Sequence, residues 1–375
     1  MDKDLNVLFV TLDGMRVDYL NHCPFLSELI NNNMSFTNMI TSAPYTFSSM
    51  YSIFSGLYPS KNGVNAYYNM FKFKQNKCKT FTQYLKDNGY YAFSQILNDC
   101  VIPNQGFDEI KIHKSFDDQL SVHKNLIKGA IEKGKFFGYL QYTKIHEQTV
   151  KNSKKYGDFD EEYFGEKGQE RNKNIFTTLA KGCDNYVKEL IGFLKENSIL
   201  ENTLLIFHAD HGTSNGEKKG EKLYGVYVYD YTIKTFCTFI NPKIIKGKKN
   251  IQCRTIDIMP TLLKILNIPE QEGFIPLQGK HLFSIIDGCE EEERIAFSET
   301  GGLSGPWPSR KEHNVFGIRL NNKKIIYNKT PKTWEFYNLS NDPQEETNLI
   351  DENLKEIEMY KKILLKKFEE NEISI

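Results

Sequence analysis

Leu5-Asn6-Val7-Leu8-Phe9-Val10-Thr11-Leu12-Asp13-Gly14 is an almost unbroken apolar run that stops at a carboxylate and a glycine. Such a run without alternation is the pattern of a strand buried on both faces, as in a parallel sheet, and it leaves Asp13 at the strand's C-terminal edge. The arrangement returns far along the chain in Thr203-Leu204-Leu205-Ile206-Phe207-His208, followed by Ala209-Asp210-His211-Gly212. Two acidic strand ends would then meet at one sheet edge, where open α/β sheets bind their ligands.

Helical stretches lie between and after these strands. Phe81 to Gly89 ends in a glycine stop, Cys183 to Asn197 is apolar at helical spacing, and Ile258 to Leu266 carries Pro260 near its first turn. Helices alternating with buried strands predict an α/β fold, a mostly parallel central sheet flanked by helices. Lys151 to Lys173 is charged, glycine- and tyrosine-rich and without a clear period, so it is expected to be a long surface excursion or lid.

After about residue 290 the pattern changes. Glu290 to Glu293 reads as a solvated turn. Val315 to Leu320 and Lys324 to Tyr327 are strand-like and joined by Asn321-Asn322 in a hairpin setting, and Asn353 to Glu370 is an amphipathic helix. The expected division is a catalytic α/β domain over 1–290 and a small C-terminal α+β subdomain over 291–375, with short antiparallel strands and a terminal helix.

The 375 residues, 39% hydrophobic and 26% charged, supply ample core for two to three domains, or for one large domain with an appendage. Lys plus Arg and Asp plus Glu both number 48, so no global field draws the chain to nucleic acid or anionic lipid. An anionic ligand must be held by a local site. No apolar run approaches the roughly 18 residues of a membrane span, and the first residues are too few and too acidic for a signal peptide. Seven scattered cysteines with no C-x-x-C argue against a disulfide framework or zinc knuckle, so the expected setting is reduced and cytoplasmic.

Asp13, Asp210 and His211 form a ligand set for one divalent cation, and the imidazole favours manganese or zinc ahead of calcium or magnesium. A hydroxyl beside that cation would gain a lowered pKa and become a nucleophile. The candidate lies in Pro44-Tyr45-Thr46-Phe47-Ser48-Ser49-Met50, which runs on to Ser55-Gly56-Leu57-Tyr58-Pro59. This stretch resembles the nucleophile segment of the sulfatase branch of the alkaline phosphatase superfamily. Setting Ser55-Gly56 on that family's Thr-Gly puts the nucleophile at Thr46; the Ser-x-Pro triplet at Ser42 lies four residues too early.

The resemblance continues over nearly the whole chain. Asn6 to Asp13 is similar to the family's first strand and metal-binding Asp, and Ala209-Asp210-His211-Gly212 to its Ser-Asp-His-Gly segment. Thr255 to Leu263 is similar to its Asp-x-x-Pro-Thr-Leu helix, and Phe336 to Leu349 to its C-terminal tyrosine, Asp-Pro and Asn-Leu signature.

The departures bear on the reaction. Where common sulfatases carry C-x-P-S-R, this chain has Thr46, Ser48, Ser49 and Met50, and only the serine survives. Oxidising threonine would give a ketone, so the formylglycine aldehyde cannot be made here. Gly14 replaces the common second acidic residue, and Asn215 stands where a further histidine would serve a second metal. What is left, Asp13, Thr46, Asp210 and His211, resembles the single-metal, threonine-nucleophile site of lipoteichoic acid synthases and phosphoethanolamine transferases.

The resemblance implies in-line attack by Thr46 on phosphorus or sulfur, then release by water or an acceptor alcohol. His146 resembles the family histidine near the leaving group. Lys222 is a candidate for the anion-contacting lysine, in competition with Lys218 and Lys219. Lys61 and His208 read as structural. Pro306 to Arg310, with His313, reads either as a substrate rim or as a rigid loop, and Arg310 and His313 are carried as substrate-binding candidates. The implied substrate is a small-molecule or glycan phosphate or sulfate ester. The alternatives are a true sulfatase without formylglycine and an inactive sulfatase-fold binding protein.

Overall fold

A computed structural model describes residues 5–114, 118–302, 314–352 and 354–374. β1 (Asn6–Leu12) lies inside a nine-stranded sheet, with β5 (Phe136–Tyr142) on one side and β6 (Thr203–His208) on the other, both parallel to it. Burial on both faces explains the lack of alternation. Val7, Phe9 and Ile206 pack on one face; Leu8, Val10, Leu12, Leu205 and Phe207 pack on the other. Each such side chain stabilises the fold by roughly 1.5–3 kcal/mol.

β3 (Tyr91–Ile96) and β4 (Glu109–Ile112) extend the parallel set beyond β5. On the other flank β7 (Lys234–Ile240) runs antiparallel to both β6 and β2 (Met34–Ile40), and β8 (Gly247–Lys249) and β9 (Cys253–Arg254) pair parallel to β2. Register fixes the position of the site. Thr11 stands opposite His208, so Asp13 and Asp210, each two residues further on, leave neighbouring strands at one level.

The expected helices at Phe81–Asp87 and Ile258–Ile265 are present, but the lid expectation is corrected. Most of Lys151 to Lys173 is helical, within Lys144–Ser153, Glu161–Phe164 and a helix over Glu166–Glu196 that begins well before Cys183. The first half of that helix buries Gly168, Asn172, Phe176 and Ala180. This narrow stripe recurs every fourth residue, and two of its positions are not apolar, which hides its period.

A second sheet takes the order β10 (Ala296–Gly301), β11 (Asn314–Leu320), β12 (Lys323–Asn328), β13 (Thr333–Asn338), all antiparallel. Asn321 and Asn322 both have left-handed backbone, φ 52° and 54°, as a two-residue type I′ hairpin requires. The helix Leu354–Glu370 lays Ile357, Tyr360, Leu364 and Phe368 on this sheet. All seven cysteines are free thiols. Among the described residues no helix is long and apolar enough to cross a membrane.

Candidate active site

Thr46 opens the helix Thr46–Ser55, which follows extended Tyr45 and stops at Gly56 in the left-handed region (φ 65°). The position follows from two anchors. Ser49 Oγ donates to the Asp210 carbonyl at 2.8 Å and lies 2.8 Å from Thr41 Oγ1, which fastens the helix's first turn to the end of β6. The one serine shared with the C-x-P-S-R pattern is therefore a clamp. Met50, at the pattern's arginine position, is fully buried with its sulfur 3.9 Å from Thr11 Oγ1, so no cation enters from there.

Thr46 Oγ1 lies 3.1 Å from His211 Nε2 and 3.4 Å from Asp13 Oδ1. Asp13, Asp210 and His211 are fully buried, and each offers a ligand atom within 4.8 Å of the others. The two aspartates are used alike. Asp13 Oδ2 accepts from Gln141 Nε2 at 2.6 Å, leaving Oδ1 toward Thr46 and 3.6 Å from His211 Nε2. Asp210 Oδ1 accepts from the Gly14 amide at 3.3 Å, leaving Oδ2 buried with no hydrogen-bond partner and 3.6 Å from His211 Nε2. His211 Nδ1 lies 2.7 Å from the Gly212 carbonyl, which puts the ring's proton on Nδ1 and turns Nε2 inward as an acceptor.

An orphaned buried carboxylate oxygen is costly unless it meets a cation. One inward oxygen from each aspartate, one imidazole nitrogen and the Thr46 hydroxyl fit the donor set of one divalent ion. Electrostatics agree: burial, with Asp210 nearby, pushes the Asp13 carboxyl up to about 8.

Gly14 lies in the left-handed region (φ 75°), and a Cβ there would meet Thr213 Oγ1 at 2.7 Å. That hydroxyl donates to the Gly14 carbonyl at 2.9 Å. No acidic residue fits at this position without moving Thr213. Gly14→Ala is expected to lower stability by about 1–3 kcal/mol in urea denaturation; an unchanged midpoint would refute the steric account.

His146 is brought to this cluster, with Nδ1 3.7 Å from Asp13 Oδ1 and 3.3 Å from the Tyr224 hydroxyl. Burial holds its pKa below the ordinary histidine value. Lys222 is not brought there: its ammonium donates to the Tyr156 carbonyl at 2.7 Å and pairs with Asp158 at 3.1 Å. Its competitors are also engaged, Lys218 by the Glu345 carbonyl and Lys219 by Glu161. Arg310 and His313 lie outside the described residues. His208 stacks on Phe9 with ring centroids 4.6 Å apart, its pKa pushed down to about 4 by burial, and Lys61 pairs with Glu372.

Sequence reasoning missed Gln141, Tyr224 and Tyr67. Tyr224 lies 4.6 Å, centroid to centroid, from His211 and hydrogen-bonds Tyr67, and both phenols are raised by burial and by Asp13 and Asp210. Gln141 had one usable signal, an amide inside the otherwise apolar β5, opposite Thr11.

The family model described as Sulfatase matches residues 5–268, and that described as N-sulphoglucosamine sulphohydrolase, C-terminal, matches residues 223–372. The chain belongs to the sulfatase family. A choline-sulfatase of Rhizobium meliloti is 24% identical over 205 residues, 54% of this chain and 37% of that protein. An arylsulfatase of Clostridium perfringens is 26% identical over 214 residues, 55% and 42% of the two. The match to this sulfatase-family chain thus spans less than half the length of these curated relatives.

Among solved structures, a 2-O GAG sulfatase superposes with TM-score 0.82 at 16% identity, covering 98% of this chain and 93% of that one. The phosphonate monoester hydrolase of Agrobacterium radiobacter gives TM-score 0.75 at 14% identity, covering 98% and 96%. The architecture is the alkaline-phosphatase-like sulfatase fold: a mostly parallel central sheet flanked by helices, with a C-terminal antiparallel sheet.

Proposed function

We propose that this chain is a metal-dependent hydrolase or phosphotransferase of phosphate-type esters that uses Thr46, unmodified, as its nucleophile. The observation that carries the reading is Thr46 Oγ1 at 3.1 Å from His211 Nε2 and 3.4 Å from Asp13 Oδ1, beside the unpartnered Asp210 Oδ2. It supports the single-metal, threonine-nucleophile reading that the sequence resemblance to lipoteichoic acid synthases and phosphoethanolamine transferases implies.

Asp13, Asp210, His211 and Thr46 would hold the divalent ion, manganese or zinc first. When bound, it lowers the hydroxyl pKa and neutralises charge on the transferred group. Thr46 Oγ attacks phosphorus in line, forming the O–P bond as the bond to the leaving alcohol breaks. Thr46 is the first residue of its helix, so the positive end of that helix's dipole lies at the developing negative charge. In its protonated form His146 would donate its Nδ1–H to the Tyr224 oxygen, 3.3 Å away, and carry a second proton on Nε2 for the leaving oxygen; such proton transfer is worth about 10²–10⁴-fold. Water or an acceptor alcohol then breaks the threonine ester and restores the hydroxyl.

A second reading, direct sulfate transfer to Thr46 without formylglycine, is favoured by the choline-sulfatase and arylsulfatase relatives. The fold is common to sulfatases and a phosphonate monoester hydrolase, so it supports both readings equally. The test compares nitrophenyl phosphate, a nitrophenyl phosphodiester, a nitrophenyl phosphonate and nitrophenyl sulfate at equal metal loading. Chelation is expected to abolish turnover, and manganese or zinc to restore it better than calcium, on the phosphorus esters. Turnover of the sulfate alone would establish the second reading, and full activity in protein shown metal-free by elemental analysis would remove the cation.

A further inference from the structure

The amide of Gln141 ties three neighbouring parallel strands together at the edge that carries the site. Its Oε1 accepts from the Leu97 backbone N–H at 2.8 Å, just beyond β3, and its Nε2 donates to Asp13 Oδ2 at 2.6 Å, just beyond β1. Gln141 itself belongs to β5 and is fully buried. The strand end is held in turn: Gln119 Nε2 donates to the Gln141 carbonyl at 2.8 Å and to Thr143 Oγ1 at 3.1 Å, and the Thr143 amide donates back to Gln119 Oε1 at 3.2 Å.

Because Leu97 N–H takes the carbonyl oxygen, the amide cannot flip, and its NH₂ end must face Asp13. That contact fixes which carboxylate oxygen is engaged by the scaffold and which is left toward Thr46 and His211. The Asp13 backbone is pinned separately, its N–H donating to the Tyr142 carbonyl at 3.1 Å, so the torsion that remains to be set is the side chain's.

We infer that Gln141 is a positioning residue for the cation site. It does not touch substrate or ion, but holds Asp13 so that a single oxygen, Oδ1, is presented to the centre. The inference rests on the proposed metal-dependent reading. Removing such an orienting hydrogen bond typically weakens metal affinity 10–100-fold.

The experiment titrates Mn²⁺ into the chelator-treated full chain by calorimetry, with binding confirmed by the loss of the free-Mn²⁺ electron paramagnetic resonance signal. Wild type is compared with Gln141→Met, which keeps length and removes both bonds, and with Gln95→Met. Gln95 is a buried amide of β3 whose Oε1 lies 2.8 Å from His123 Nε2, away from the cluster. The expected result is one Mn²⁺ per wild-type chain, a Kd raised at least tenfold in Gln141→Met, and an unchanged Kd in Gln95→Met. Equal Kd in wild type and Gln141→Met overturns the inference, as does an equal loss in Gln95→Met, which would mark general loosening of the sheet edge. Gln141→Leu serves the same comparison if the methionine variant does not fold. Wild type that binds no Mn²⁺ by either measurement removes the centre itself, and the role with it, whereas equal Kd values beside normal Mn²⁺ binding overturn Gln141 alone.

Discussion

Thr46→Ala is expected to lower kcat by roughly 10⁴–10⁶-fold on every ester the wild type turns over, the scale seen when a covalent nucleophile is removed. The hydroxyl lies within hydrogen-bond distance of His211 and Asp13, and among the described residues no second hydroxyl hydrogen-bonds either side chain. Ser48 and Ser49, the nearest alternatives in sequence, are committed to the Val64 and Asp210 carbonyls. Thr46→Ser keeps an oxygen at the same helix position and is expected to retain turnover within about 10–100-fold, less than the loss on removing a nucleophile altogether. The pair separates the chemistry from packing, since both substitutions remove the buried methyl group. The wild-type peptide spanning Thr46 should have its unmodified mass, because oxidation would remove two hydrogens. Unchanged turnover in Thr46→Ala would move the chemistry elsewhere, and absence of turnover on all four esters by metal-loaded wild type would favour a binding protein.

What the sequence made legible, it made legible through burial. β1 and β6 are apolar on both faces, so their ends could be located to the residue, and the acidic groups beyond them fall at one level because the two strands are parallel and adjacent. The Asn321-Asn322 turn was legible because few residues adopt two successive left-handed conformations. The site's remaining wall was not. Gln141, Tyr224 and Tyr67 reach the cluster through contacts between remote segments, and neither an amide within a strand nor a tyrosine in a polar loop announces its partner. Lys222 shows the converse error: its spacing after Asp210-His211 suggested an anion contact, yet its ammonium is taken up by Tyr156 and Asp158. Spacing along a loop says little about direction once the backbone is free to turn.

Asp13→Asn should stabilise the metal-free protein and abolish its stabilisation by a cation. In metal-free protein two buried carboxylates face each other, and burial together with Asp210 raises the Asp13 carboxyl from 3.8 to about 8. A folded-state value above the unfolded one means that folding favours the protonated acid. The penalty for ionising it is absent below about pH 4, grows as pH rises toward 8 and is fully present above that. Asparagine carries no such penalty and can still accept from Gln141 through its carbonyl oxygen. The chelated variant is therefore expected to melt several degrees above chelated wild type at pH 8.5, with the gap closing below pH 4. Saturating manganese acts the other way, raising wild type and not the variant, so the gap narrows. At a hundredfold excess over Kd, wild type gains about 2.7 kcal/mol from binding, whereas a variant without the Asp13 charge gains little. Thermal melts of both proteins, with chelator and with Mn²⁺, at pH 4 and 8.5, measure all of this. A variant less stable than wild type in chelator at pH 8.5, or one stabilised equally by Mn²⁺, would show that Asp13 is an ordinary strand-end residue and that the cation, if any, is held elsewhere.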